Sequence, residues 1–290
     1  MSDNRYIVLG LIQMEDRGAR NLEEAVRLIK EAAARGARII CLQELFRSKY
    51  FCQEENPKFF SLAEPIPGPS AEKLCKLASV LNVVIIAPLF EKRAEGIYHN
   101  TAVIIDADGS IVGKYRKMHI PEDPCFREKF YFTPGDTGFK SFETRYGKIG
   151  VLICWDQWFP EAARSCALSG AQLLFYPTAI GFHKVDALFA KKQHAAWETI
   201  QRSHAIANGV FVASVNRVGK EGALEFWGQS FVCDPFGEVI ARADKNRSET
   251  LIAECDLSLI EETRQNWPFF RDRRTDAYQS LTQLFLDPHD

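Results

Sequence analysis

The sequence predicts an α/β protein of two similar halves, with two sheets inside and helices outside. Three observations carry this expectation. Strand-length apolar runs alternate with segments of helical periodicity along the chain. Residues 100–117 and 228–245 are spans of equal length, and both read strand, Asp-x-x-Gly, strand, around Asp106 and Gly109 and around Asp234 and Gly237. Gly36-Ala37 and Gly170-Ala171 each precede a strand, and Gly10 and Gly150 occupy matching places in the strands before them.

In order, the first half opens with a strand over 7–13 and a helix over 21–35 that gathers Leu22, Ala25, Val26 and Ile29 on one face. Gly36 ends that helix, and the strand 38–43 follows. Pro67-Gly-Pro-Ser70 opens a helix over 70–81, ahead of a strand at 83–90 and a hairpin of 101–106 with 111–115. The second half repeats the plan. A strand at 149–153 precedes a helix over 160–168 with Pro160 in its first turn, and a strand at 173–176 comes next. A helix over 191–207 closes at Asn208-Gly209, and the strand 210–215 leads to a hairpin of 231–234 with 238–241. The last strand is 250–254, and Ala277, Leu281, Leu284 and Phe285 predict a helix over 276–285. Residues 65–69 are too short a loop to divide the chain, so a single domain over 1–290 is expected.

Composition narrows the function. The 290 residues are 46% hydrophobic and 26% charged, enough for a substantial core. A net charge of −2, dispersed along the chain, offers no footprint for nucleic acid or an anionic membrane. The longest apolar run, 83–90, is strand-sized and far short of a membrane span. The opening Met1-Ser-Asp-Asn-Arg-Tyr6 lacks the cleavage-site pattern of a signal peptide. Eight cysteines lie no closer than 11 residues apart, and His183, His194 and His204 lack metal spacing. A cytoplasmic protein with reduced thiols, no metal and no cofactor is the expectation. The motifs GxSxG, HExxH and GxGxxG are missing, and Gly109-Ser-Ile-Val-Gly113-Lys114 is one residue short of a P-loop and lies in a hairpin.

Three reactive side chains fall at strand ends, where ligands bind in sheets of this kind. Glu44 ends the strand 38–43, Cys154 ends 149–153, and Lys117 ends the first hairpin. The helix beginning at Pro160 places positive partial charge near Cys154, which favours a thiolate. The matching positions in the other half are Thr178, Met14 and Lys245, so the set is not duplicated. Each residue alone has a plain reading: a buried filler thiol, a solvated carboxylate, a surface ammonium. Spacing makes a triad geometrically possible without proving one.

The residues around these positions are more specific. Gly147-Lys-Ile-Gly-Val-Leu-Ile153 followed by Cys154-Trp-Asp-Gln-Trp-Phe-Pro-Glu161 resembles the nucleophile segment of the nitrilase (carbon–nitrogen hydrolase) superfamily. Leu42-Gln-Glu-Leu-Phe46 resembles its glutamate motif and Tyr115-Arg-Lys-Met-His-Ile-Pro121 its lysine motif, in the expected order, with similarity over nearly the whole chain. The nucleophile segment, Glu128-Lys-Phe-Tyr-Phe132, Pro134-Gly-Asp-Thr-Gly138 and Trp267-Pro-Phe-Phe-Arg-Asp-Arg-Arg274 resemble the branch that hydrolyses N-carbamoylputrescine in the agmatine route to putrescine.

The resemblance implies a four-layer αββα sandwich with two pseudo-symmetric halves. It implies Cys154 as nucleophile, Glu44 as general base, and Lys117 with the backbone N–H of Trp155 as oxyanion donors. Glu128 matches the family's second glutamate, which orients the lysine and contacts substrate. Relatives acting on N-carbamoyl amino acids carry arginine shortly after the nucleophile. Gln157 and Trp158 stand there in this chain, which suits a carboxylate-free alkylamine, with Trp158 either facing an ammonium or simply packing. Glu122, Asp123 and Asp186 are candidates for the distal ammonium. Asp156 reads as a loop anchor and His119 as a hydrogen-bonded structural histidine. Cys125 departs from the family pattern, where a small residue or glycine is usual, and could bring a second thiol near the site. The resemblance also implies a homo-oligomer built from dimers, with the tail 265–290 crossing to a neighbour. The alternatives are another nitrilase-type amidase (an ω-amidase or N-carbamoyl-β-amino acid hydrolase) and a non-catalytic binding protein on the same fold.

Overall fold

Alternation of side chains sorts the central strands onto two cores. Ile39, Cys41 and Ile86 share one apolar cluster with Ile149, Val151 and Phe175, whereas Ile40, Leu42 and Ile85 pack with the helix residues Ala25, Ile29, Ala32, Leu74 and Ala78. The chain is a computed structural model that describes residues 5–183 and 189–287.

One six-stranded sheet runs in spatial order Glu249–Asp256, Tyr6–Gln13, Ile39–Leu42, Val84–Ala94, Ile97–Ile105, Ile111–Arg116. The other runs Ser141–Thr144, Gly147–Val151, Leu173–Pro177, Phe211–Val215, Phe231–Cys233, Val239–Arg242. In both, three central strands are parallel and the flanking ones antiparallel. Helices α1 (Asn21–Ala34) and α2 (Pro69–Leu81) cover the first sheet, and α3 (Pro160–Leu168) and α4 (Ala190–Asn208) the second. The sheets pack inner face to inner face, which gives the αββα sandwich.

The repetition reaches single atoms. A Cβ on Gly10 would meet the Cβ atoms of Ala32 and Ala37 at 3.0 and 3.1 Å, and one on Gly150 would meet those of Cys166 and Ala171 at 2.9 and 3.3 Å. Each glycine lets a helix settle onto its sheet. Ala37 N donates to Ala32 O and Ala171 N to Cys166 O, so the same helix-closing turn, with Gly36 and Gly170 at positive φ, feeds both second strands. The hairpins share their register, Val103 opposite Lys114 and Phe231 opposite Arg242, and each slips just after Ile104 or Val232.

The sequence reading leaves out the strand Ser141–Thr144 and the helix Ser258–Asn266, and two further departures stand out. Residues 276–285 do not form a helix: short 3-10 turns at Thr275–Ala277 and Gln279–Thr282 stand there, with Leu281, Leu284 and Phe285 exposed. An isolated helix shorter than about 12–15 residues is marginal in water, and no surface of this chain covers that apolar stripe. The second is a small antiparallel sheet of Gly181–His183, Leu224–Trp227 and Val218–Glu221, which the sequence reading leaves out and which walls the site described next. Among the described residues no helix is long and apolar enough to cross a membrane.

Candidate active site

The candidate residues converge at the carboxyl ends of the central strands. Glu44 lies just past Ile39–Leu42, followed by Leu45 at φ 49°. Lys117 follows Ile111–Arg116, its N–H donating to Asn100 O at 2.9 Å across the open end of the hairpin. Glu128 begins a 3-10 turn, Glu128–Phe130. Cys154 begins another, Cys154–Trp158, at φ 46°. A left-handed conformation at a side-chain-bearing residue costs on the order of 1–3 kcal/mol, so both turns are held by their surroundings.

Glu44, Lys117 and Glu128 are buried together. Lys117 Nζ donates to Glu44 Oε1 at 2.8 Å and to Glu128 Oε2 at 2.6 Å. Asn100 Nδ2 donates to Glu44 Oε1 at 2.7 Å, and the Tyr50 hydroxyl to Glu128 Oε1 at 2.7 Å. Glu44 Oε2 is buried without a hydrogen-bond partner among the described residues, which leaves a carboxylate oxygen open to a proton. Burial opposes the charge on Lys117, yet Glu128 and Glu44 outweigh it and hold the ammonium well above the usual lysine range. Burial pushes Glu128 up to about 7, against the pull of Lys117 and with Glu44 adding to the rise. When both carboxylates are ionised, the cluster carries one negative charge in excess.

The surroundings of Cys154 favour its thiol over the thiolate. Burial, then the negative charge of Glu44, pushes its thiol well above the ordinary range, and Lys117 only partly opposes them. Helix α3 begins at Pro160, six residues past Cys154. The thiol is protonated at neutral pH.

Asp156 ties the nucleophile turn to the lysine loop. Its Oδ2 accepts from Ile153 N at 2.9 Å and from the Tyr115 hydroxyl at 2.7 Å, and its Oδ1 contacts His119 N at 3.0 Å and His119 Nδ1 at 2.7 Å. His119 stacks on Phe159 with ring centroids 3.6 Å apart, so both side chains are held by contacts within the fold. Gln157 is bonded within the fold and does not line the cavity: its Oε1 accepts from Trp197 Nε1 and Gln201 Nε2, each at 2.9 Å, and its carbonyl contacts His204 Nε2 at 2.7 Å.

A cavity of about 420 Å³ opens onto Cys154 and Glu128. Trp155, Trp158, Phe126, Phe182 and Trp227 supply aromatic walls, Asp123 and His183 polar ones, and no Lys or Arg among the described residues lines it. Of the acids considered for an ammonium, Asp123 lines the cavity, Glu122 is paired with Arg127 at 3.0 Å, and Asp186 lies outside the described residues. Cys125 lines a neighbouring groove beside Tyr50 and Gln53 instead of the cavity that holds Cys154. Its φ of 66° explains why glycine suits the place: Pro124-Cys125 makes the turn between the paired residues Asp123 and Phe126, with the left-handed residue second.

Sequence reasoning missed Asn100, Tyr50 and Trp227. Asn100 carried a signal, since it opens the repeated hairpin span that Lys117 closes; Tyr50 and Trp227 lie outside every motif named above.

Comparison with known proteins agrees with this geometry. The carbon–nitrogen hydrolase family matches residues 9–265. The chain is 46% identical over 291 residues to N-carbamoylputrescine amidase of Arabidopsis thaliana, spanning 97% of this chain and 96% of that protein. It is 42% identical over 287 residues to a citrullinase of Francisella tularensis, spanning 97% and 99%. The crystal structure of a carbon–nitrogen hydrolase from Helicobacter pylori G27 superposes with a TM-score of 0.94 at 49% identity, covering 97% of this chain and 100% of that one. From strand order to relatives of nearly equal length, the chain belongs to the carbon–nitrogen hydrolase family and hydrolyses amide or carbamoyl C–N bonds.

Proposed function

We propose that this chain hydrolyses N-carbamoylputrescine to putrescine, carbon dioxide and ammonia, as a step of polyamine synthesis from agmatine, through a carbamoyl thioester on Cys154. The observation that carries the reading is the cavity: it joins Cys154 to aromatic walls and to Asp123, with no Lys or Arg among its described lining residues. An alkyl chain fits between indole and phenyl faces, and a distal ammonium finds carboxylate and π-density. Trp158 is assigned to this chain-binding role.

Because the thiol is neutral, its ionisation is coupled to attack. Cys154 Sγ adds to the carbamoyl carbon while its proton passes to Glu44, whose Oε2 is free. Lys117 and the Trp155 backbone N–H stabilise the oxyanion, and Glu128 orients Lys117. Collapse breaks the bond from the carbamoyl carbon to its terminal nitrogen, and ammonia leaves with the proton returned by Glu44, so the N-alkylcarbamoyl group stays on sulfur. Water then attacks the thioester, giving its proton to Glu44, and the thiol is regenerated. The released carbamate falls apart to carbon dioxide and amine.

Citrulline carries the same ureido group with a carboxylate beside its amine. The described aromatic walls with Asp123 fit a simple alkylammonium, which supports the amine over citrulline. We place the protein in the cytoplasm as a homo-oligomer built from dimers, with the exposed Trp267, Phe269, Leu284 and Phe285 of the tail at its contacts.

The test is ammonia release from N-carbamoylputrescine, citrulline, N-carbamoyl-β-alanine and glutamine-type amides, with Cys154→Ala as control. Turnover of N-carbamoylputrescine in preference to the others, lost in the control, is expected. Preference for a carboxylate-bearing substrate would discard the polyamine assignment and keep the mechanism.

A further inference from the structure

The segment that carries Glu44 is irregular, and Leu45 within it holds a conformation unfavourable for leucine. What holds it comes from the other half of the chain. Arg217, completely buried, follows the strand Phe211–Val215. Its Nη2 donates to the carbonyls of Glu44 at 3.1 Å, Leu45 at 3.0 Å and Ser48 at 3.1 Å, and its Nη1 to Ser48 O at 3.2 Å and Glu221 Oε1 at 2.7 Å. Glu221 turns its second oxygen, Oε2, to the Tyr50 N–H at 2.6 Å. These acceptors lie on the 44–48 segment or on Glu221, which grips the same loop two residues further on. Among the described residues, no other group in the second half is tied to that loop by so many bonds.

We propose that Arg217, with Glu221, is a positioning residue for the reaction: one guanidinium registers both carboxylates that flank Lys117. It fixes the peptide of Glu44 directly. Through Glu221 and the Tyr50 main chain it fixes the hydroxyl that holds Glu128 Oε1. The planar fork is what makes this possible, since three carbonyls and a carboxylate are reached from one rigid group. The neighbouring Asn216 accepts from Ile180 N and donates to Ile180 O, each at 3.0 Å, so the same strand end also steadies a wall of the cavity.

The inference rests on the roles proposed for Glu44 and Cys154, and its test separates the two. Arg217→Lys keeps the charge and loses the fork. For it we expect kcat, and the rate at which iodoacetamide alkylates Cys154 without substrate, to fall together by about 10- to 100-fold, with KM within about threefold. Glu221→Gln keeps an oxygen for Tyr50 N–H and removes the counter-charge, and a smaller loss of the same pattern, roughly 3- to 10-fold, is expected. A purely structural role would lower the melting temperature and leave the alkylation rate of the folded enzyme alone. Wild-type kcat and alkylation in a folded Arg217→Lys variant would overturn the inference. Should that variant not fold, wild-type behaviour of Glu221→Gln does so instead. A wild-type protein whose Cys154 resists alkylation would overturn the site reading, and this inference with it.

Discussion

Tyr50 and Lys117 hold opposite oxygens of Glu128, the hydroxyl on Oε1 at 2.7 Å and the ammonium on Oε2 at 2.6 Å. Burial raises Glu128 to about 7, and both donors act against that rise because they favour its charged form. Above that pH Glu128 is ionised and grips Lys117; below it the grip weakens. Activity should therefore fall as pH drops through about 7. In Tyr50→Phe one donor to the charged form is gone, so the acid limb of kcat/KM should move up by about one unit. A pH–rate profile checks this, and an unmoved limb would assign the limb to another group.

Asp156→Asn tests the anchor between the nucleophile turn and the lysine loop. Each carboxylate oxygen meets two groups, so an amide nitrogen in either place faces at least one backbone donor, Ile153 N or His119 N. The expected loss is about 2–4 kcal/mol of stability, with kcat falling more than KM. Thermal melts and steady-state kinetics would show it; a kcat equal to wild type would separate the anchor from catalysis.

At Cys125 the strain lies in the backbone, at φ 66°. Cys125→Gly should raise stability by about 0.5 kcal/mol with kcat unchanged, whereas Cys125→Ala should leave stability within about 0.5 kcal/mol of wild type. Denaturant midpoints for the pair suffice. Lost turnover in either would place the thiol in the reaction after all.

Removing residues 265–290 should lower the assembly state, because Trp267 is half exposed and Leu281, Leu284 and Phe285 are largely exposed. Light scattering reports the mass. An unchanged value would clear the tail of any part in assembly.

The features legible in the sequence are those set by neighbours in sequence. The Gly36-Ala37 and Gly170-Ala171 corners, the Asp-x-x-Gly hairpins and the strand ends at Glu44, Lys117 and Cys154 are local patterns, and each stands where they put it. Arg217 was illegible because its acceptor at Glu44 is 173 positions away, and a lone arginine reads as surface charge. The ionisation of Cys154 was not legible in the sequence for a related reason. Burial is a sum over the whole fold, which no local motif displays. The 276–285 segment shows the converse: periodicity predicts a helix only where something receives its apolar face.

The strand Glu249–Asp256 has a consequence for synthesis. It pairs with Tyr6–Gln13 along the full length, from Tyr6 opposite Asp256 to Gln13 opposite Glu249. The first strand made therefore waits for almost the last, and until then it offers an open edge of unpaired backbone to whatever passes. The inner face of its sheet, with Leu9, Ile39 and Ile86, waits as well, since the second sheet is what covers it. A ribosome-bound first half is thus a sticky intermediate by construction, and the yield of active protein in a cell should depend on chaperones that shield a nascent edge strand.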